Sequence, residues 1–264
     1  MLEINELCVG TKNRCSLLHQ VSLKIRTGEI WGLTGESGAG KSTLLKSIMG
    51  ILGEGCGIKS GEILVNGQDI LGLKPEEHRK LCGNVLGFIP QNPMTAFDRR
   101  MTIKKQMLET LKCRRGMNRR DSLELTEAVF KEVNLKDTDR ILCSYPGELS
   151  GGMLQRIAAA LLIMLDPAVI LADEPTAALD EENRLQLLKI LKAKSDTAGI
   201  LFISHDVEAL KEICSNVMVM ENGCITETGT MEELLESPKR EWMRKFASAY
   251  HPIDGEEWKW KELT

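Results

Sequence analysis

Ile30-Trp31-Gly32-Leu33-Thr34 runs without a break into Gly35-Glu36-Ser37-Gly38-Ala39-Gly40-Lys41-Ser42, and Thr43-Leu44-Leu45-Lys46-Ser47-Ile48-Met49 follows before Gly50. The first piece reads as a short apolar strand; the last has helical spacing and a glycine stop. Between them stands G-x-x-x-x-G-K-[ST], in the strand-to-helix context this motif requires. A triphosphate is a dense anion. Glycines let backbone N–H groups curl around its β- and γ-phosphates, and the start of the next helix adds positive dipole. Lys41 supplies a point charge, and the Ser42 hydroxyl is placed to ligate Mg²⁺. A chance glycine-rich turn is the bland alternative, and the flanking strand and helix argue against it. The binding set is therefore Gly35, Glu36, Ser37, Gly38, Ala39, Gly40, Lys41, Ser42 and Thr43.

Further along, Val169-Ile170-Leu171-Ala172-Asp173-Glu174 is an apolar strand ending in two carboxylates. A buried strand holds acids rigidly at a sheet's C-terminal edge, beside the phosphate loop. Asp173 would reach Mg²⁺ through a water, and Glu174 sits where it could polarise the water attacking the γ-phosphate. By itself such a pair is usually a helix-start signal, so it borrows weight from the loop. Leu149-Ser150-Gly151-Gly152-Met153-Leu154-Gln155-Arg156 opens a helix with a serine and two glycines. This reads either as a second anion site at a helix N-terminus or as an ordinary capped helix.

The segment LSGGM-x-QR, following a phosphate loop and preceding ILADEPTAALD, resembles the signature of ATP-binding-cassette ATPases. The motifs fall in family order from 35 to 206, and the resemblance covers nearly the whole chain. It implies an α/β fold: a P-loop NTPase (RecA-like) core with an N-terminal antiparallel β subdomain and an inserted α-helical subdomain. ATP and Mg²⁺ are the implied cofactors. Ser150, Gly151 and Gly152 would contact nucleotide bound on the other subunit of a head-to-tail dimer. Gln91, in Phe88-Ile89-Pro90-Gln91-Asn92-Pro93, matches the glutamine loop that senses Mg²⁺ and water and touches the membrane partner. The metal set is then Ser42, Gln91 and Asp173. Ala178-Leu179-Asp180 matches the loop crossing the dimer seam, and His205 matches the histidine switch that contacts the γ-phosphate. Glu174, His205 and Gln91 form the implied catalytic set. One departure stands out. The family usually stacks adenine on an aromatic residue upstream of the phosphate loop, and Val9 to Leu18 contains none. Arg14 could stack there as a cation.

Bulk properties agree with a globular motor. The chain has 264 residues, 42% hydrophobic and 27% charged, enough for one large domain or one domain with an inserted lobe. A net charge of -4 gives no global positive field to draw in a nucleic acid. The most apolar segment, Ile157 to Leu165, stops at Asp166 and Pro167, short of the ~20 residues a membrane span needs. The start, MLEINELCVG, lacks a basic-then-apolar signal region, so the chain is expected at the cytoplasmic face of the cell's inner membrane as a peripheral protein. Its 8 cysteines form no C-x-x-C pair. They read as small apolar fillers in a reducing compartment in preference to a metal or iron–sulfur site.

Leu2, Ile4 and Leu7, then Val21, Leu23 and Ile25, alternate as strands do, and Ser60 to Gly67 reads as a strand entering an Asn-Gly turn. From about Asn92 the composition turns charged and helix-friendly. The expected organisation is a nucleotide-binding domain over 1–230, with a helical subdomain inserted at about 92–160. A short tail over 231–264 follows, read as amphipathic helix with Trp242, Phe246, Trp258 and Trp260. Arg114, Arg115, Arg119 and Arg120 could face acidic lipid or a partner. The preferred reading is a solvated, mobile connection.

Long coiled-coil arms, a second phosphate loop and fused membrane segments are all missing. The remaining class is a separate ATPase subunit docked on membrane proteins, as importers use. Gln91 to Phe97 with Met101-Thr102-Ile103, then Tyr145 to Met153, resembles the peptide/nickel uptake subfamily. Leu154 after Met153 and a tail without cysteine after Cys224 lean toward its nickel or metal-chelate branch, most like a D-type subunit. Di- or oligopeptide import is the alternative; a weakly hydrolysing regulatory module is the alternative from another class. Implied partners are a second ATPase subunit in a heterodimer or homodimer, two integral membrane permease subunits and, indirectly, an external solute-binding protein.

Overall fold

The computed structural model describes residues 1–12, 16–177 and 179–250. Arg14, Cys15, Ala178, Trp258 and Trp260, which the sequence reading invoked, lie outside these.

Two sheets form the framework. The first is antiparallel with strand order β2-β1-β4-β5, built from β1 (Leu2–Thr11), β2 (Ser16–Ile25), β4 (Cys56–Val65) and β5 (Gln68–Asp69). Alternation does what period two predicts: Leu2, Ile4, Leu7, Val21, Leu23 and Ile25 are all buried. Asn66 and Gly67 join β4 to β5 with φ of 51° and 80°, the left-handed pair that a tight hairpin demands.

The second sheet has order β10-β9-β3-β8-β7-β6. It contains β3 (Ile30–Gly35), β6 (Leu86–Ile89), β7 (Val169–Asp173), β8 (Gly199–Ile203), β9 (Asn216–Glu221) and β10 (Cys224–Gly229). All its pairings are parallel except β9 with β10. The β7 and β8 runs are buried through Val169–Ala172 and Gly199–Ile203, as central parallel strands covered on both faces must be. Register sets the site: Leu33 and Asp173 both pair with Ile203. The C-terminal ends of β3, β7 and β8 therefore open at one edge of the sheet.

One face of this sheet packs with the antiparallel sheet around α1 (Lys41–Ile48), burying Leu33, Leu44, Leu171 and Leu201. The other face is covered by α7 (Glu181–Ser195), α8 (Val207–Ile213), α9 (Met231–Glu236) and α10 (Glu241–Tyr250), through Leu188, Leu210, Leu234 and Met243. A further short helix, α2 (Pro75–Leu81), buries no residue.

Between β6 and β7 the chain forms a lobe of α3 (Ile103–Arg115), α4 (Arg119–Glu132), α5 (Thr138–Cys143) and α6 (Gly151–Leu165) with its own core around Phe130, Leu111 and Leu154. This is the helical insertion the composition change marked. α6 also presses on the sheet so closely that a Cβ added at Gly87 would lie 2.2 Å from Leu162 Cδ2.

Three expectations need correction. The arginine cluster is solvent-exposed at Arg115, Arg119 and Arg120, but all four arginines lie at helix ends rather than in a connection. Only Gly116–Asn118 separates α3 from α4, Arg114 donates to the Arg79 carbonyl at 2.9 Å and Arg115 to the Leu165 carbonyl at 3.3 Å. Long cations at helix ends satisfy carbonyls that the helix leaves open. Among the described residues the tail is helical but broken into α9 and α10, because Pro238 lacks an N–H and α9 stops at Glu236; Trp242 and Phe246 stack at 4.9 Å. Of the cysteines, Cys113 and Cys143 are exposed, so filler describes Cys214, whose thiol burial pushes up to about 12, better than those two.

Candidate active site

The loop between β3 and α1 is shaped by its glycines. Gly35 has φ of 144°, and a Cβ there would meet the Met220 carbonyl at 2.0 Å; Gly40 has φ of 111° and is pressed against Leu18. Only glycine fits both conditions. No side chain caps α1, since Gly40 occupies its N-cap. Among the described residues no side chain competes for its first amides, the arrangement that suits an anion. Lys41 is buried and donates from Nζ to the carbonyls of Gly35 (2.5 Å) and Glu36 (2.8 Å). Burial lowers its pKa, opposed by the carboxylates of Glu174, Asp173 and Glu36. A desolvated cation ringed by backbone is poised for phosphate oxygens.

Asp173 ends β7 half-buried. Burial pushes its carboxyl up, Glu174 pushes the same way, and Lys41 and Lys46 oppose. This is a carboxyl short of positive charge. The donor types of Asp173, Ser42 and Gln91 are all oxygens, a chemistry that fits Mg²⁺.

Glu174, the next residue, adopts φ of 44°, a left-handed backbone that costs a non-glycine residue about 1 kcal/mol or more. The Glu174 N–H donates to the Ile203 carbonyl at 2.9 Å, so the sheet's own hydrogen bonding holds the strained residue. The side chain is gripped from both sides. Gln91 Nε2 donates to Oε2 at 3.0 Å, and His205 Nε2 stands 3.3 Å from Oε1. Burial lowers the His205 pKa, Lys41 lowers it further, and Glu174 raises it. A cleft of about 470 Å³ opens beside them between Glu174, Thr176, Leu179, Arg184, His205 and Asp206.

The structure thus brings Lys41, Asp173, Glu174, Gln91 and His205 together. The signature residues stand apart from this cluster in the helical lobe, and Asp180 stands between the cleft-lining Leu179 and Glu181. Ser150 caps α6, accepting from the Met153 N–H at 3.2 Å, and Gly151 and Gly152 begin that helix in the lobe, away from the residues lining the Glu174–His205 cleft. Asp180 caps α7 by accepting from the Asn183 N–H at 2.9 Å. Sequence reading missed Arg184, which joins Glu181 to Asp206 across the cleft wall. Its spacing of three from Glu181 was a visible helix-pair signal; its reach to Asp206 was not.

These features fit a phosphate-binding site of the P-loop type, with a carboxylate held beside it. Residues 18–177 match the family described as ABC transporter. The chain is 37% identical over 246 residues to the probable D,D-dipeptide transport ATP-binding protein DdpD of Escherichia coli K12, covering 90% of this chain and 75% of that one. It is 38% identical over 241 residues to the metal-staphylopine import system ATP-binding protein CntD of Staphylococcus aureus Mu50, covering 90% and 88%. Among solved structures, an ATP-binding subunit of an ABC transporter superposes with a TM-score of 0.75 at 25% identity, covering 89% of this chain and 92% of that one. A dimeric cassette bound to ADP and Pi shares the fold with a TM-score of 0.78, at 24% identity and covering 88% and 99%. The chain belongs to the ABC transporter family, and the enzyme it carries is an ATPase.

Proposed function

We propose that this chain is the ATP-hydrolysing subunit of an importer, coupling ATP binding and hydrolysis to uptake of nickel or a metal chelate. The observation that carries the hydrolytic part is the double grip on Glu174 by Gln91 and His205 beside Lys41. Gly35 to Thr43 bind the triphosphate of ATP. Ser42, Asp173 and Gln91 would hold Mg²⁺, which when bound neutralises phosphate charge. Glu174 orients and polarises the attacking water, accepting its proton. His205, whose pKa burial and Lys41 depress, stands with Nε2 at Glu174 and would offer that N–H to the γ-phosphate in exchange when ATP is bound. Positioning and charge stabilisation carry most of an in-line phosphoryl transfer.

On this reading a complete site takes a second cassette, since Ser150, Gly151 and Gly152 stand at the start of α6 in the helical lobe and are not among the residues lining the Glu174–His205 cleft. We place them on the nucleotide of a partner ATPase subunit, with Asp180 and its neighbours at the seam. The chain would sit as a peripheral subunit at the cytoplasmic face of the inner membrane and pass its motion to two integral permease subunits through the segment around Gln91 to Arg100, and an external solute-binding protein would deliver cargo. The organisation 1–230 with an insert at about 92–160 and a tail beyond fits this assembly.

Metal-chelate cargo is supported by the signature's Met153-Leu154-Gln155-Arg156 and by the relative named for metal-staphylopine import. Di- or oligopeptide import is the second reading, supported by the relative named for D,D-dipeptide transport. Uptake of radiolabelled nickel, with and without a chelator, is compared with uptake of a labelled dipeptide in cells lacking the gene. Loss of metal uptake alone is the expected result; loss of dipeptide uptake alone overturns the metal reading.

A further inference from the structure

Arg184 takes no part in the chemistry above, yet its side chain is only 15% exposed. Its fork faces one carboxylate of its own helix: Nη2 donates to Glu181 Oε1 at 2.8 Å and Nε to Oε2 at 3.0 Å. The third nitrogen, Nη1, donates to Asp206 Oδ2 at 3.4 Å. One guanidinium therefore ties the first turn of α7, which follows Asp180, to the residue after His205.

Asp206 is itself closely specified. Its Oδ1 accepts from the N–H groups of Glu208 (3.0 Å) and Ala209 (3.2 Å), capping α8, and its own N–H donates to Ser204 Oγ at 3.0 Å. His205 lies between these pinned neighbours. An exposed ion pair contributes little. Here the two parallel bonds to Glu181 stay within α7 and orient the fork, the arginine is enclosed at 15% exposure, and the single bond to Asp206 is the one that joins α7 to the turn before α8. Arginine suits the task because a planar fork can satisfy one acid and still offer a further donor, which an ammonium does less well.

We propose that Arg184 is a positioning residue for ATP hydrolysis, clamping the His205–Asp206 turn onto the start of α7 so that the imidazole is held at Glu174. The proposal rests on His205 belonging to the hydrolytic site as read above. Motion of the seam loop at Asp180 would, through the same guanidinium, reach His205 within one chain.

The test uses the purified full chain and Arg184→Met, which keeps the apolar stem and removes the fork. Histidine ring resonances are recorded first, since they read position without requiring turnover. The His205 signals should shift while those of His19 and His78 stay; unmoved His205 signals overturn the proposal. In kinetics, turnover should fall about tenfold with ATP affinity within about twofold, less than the ~10² that a 1 Å misplacement can cost. In a His205→Ala background the same change should cost nothing further, because residues acting as one unit are not additive. An equal loss in both backgrounds, or a parallel loss of ATP binding, makes Arg184 merely structural. Native turnover in His205→Ala removes the underlying reading, whereas an inactive His205→Ala beside a native Arg184→Met removes only this proposal. If Arg184→Met does not fold, Arg184→Lys carries the test, with about a threefold loss expected from a cation lacking the fork.

Discussion

Gln91 Nε2 donates to Glu174 Oε2 at 3.0 Å although 83 positions separate the two residues. The contact crosses from the loop after β6 to the end of β7, neighbours in the parallel sheet. The residue leading into the helical lobe thereby touches the carboxylate that we place on the attacking water. Glu174→Gln should bind ATP normally and lose turnover by about 10² or more, the size of a general-base contribution. Phosphate release and equilibrium nucleotide binding on the same preparation decide it, and undiminished release removes Glu174 from that role.

Lys41→Met should abolish tight ATP binding without weakening the empty chain. The native ammonium is desolvated, and its partners without nucleotide are backbone carbonyls, so an apolar replacement relieves a burial cost. Fluorescent-nucleotide titration should show the loss of affinity, while the thermal midpoint without nucleotide stays level or rises.

A Cβ at Gly151 meets nothing within 4 Å among the described residues of its own chain. Gly151→Asp should therefore fold normally, so any defect reports on what faces the position. With the carboxylate beside a partner's phosphate, ATP-driven dimerisation in a Glu174→Gln background should disappear by light scattering. Unchanged dimerisation would place the signature segment away from the nucleotide.

His205 gives a pH prediction whose sign follows from burial. Its folded pKa lies below the ordinary 6.5, chiefly through burial and then Lys41, so between the two values the unfolded chain binds more protons. Stability rises with pH through that window and is lost on acidification. From pH 7 to pH 5, urea midpoints of the native chain should fall further than those of His205→Asn. Parallel falls would show that the imidazole titrates normally.

Much of this was readable in one dimension because it depends on local chemistry. The glycines at 35 and 40, the apolar run before Asp173 and the alternation in Leu2 to Ile25 each specify a conformation through their own backbone and side chains. The helix-end placement of the arginines at 114 and 115 was not legible, since the Arg79 and Leu165 carbonyls they bond are distant in sequence.

By itself, the sequence determined the phosphate loop, the strands that carry its acids and the family to which the chain belongs, because motif spacing and hydrophobic period are properties of neighbouring residues. Tertiary structure alone decided that Glu174 is strained and held between Gln91 and His205, that Lys41 bonds to its own loop, and that Arg184 joins α7 to the His205 turn. Those relations arise from parallel strand order and register, which bring residues far apart in the chain to one sheet edge.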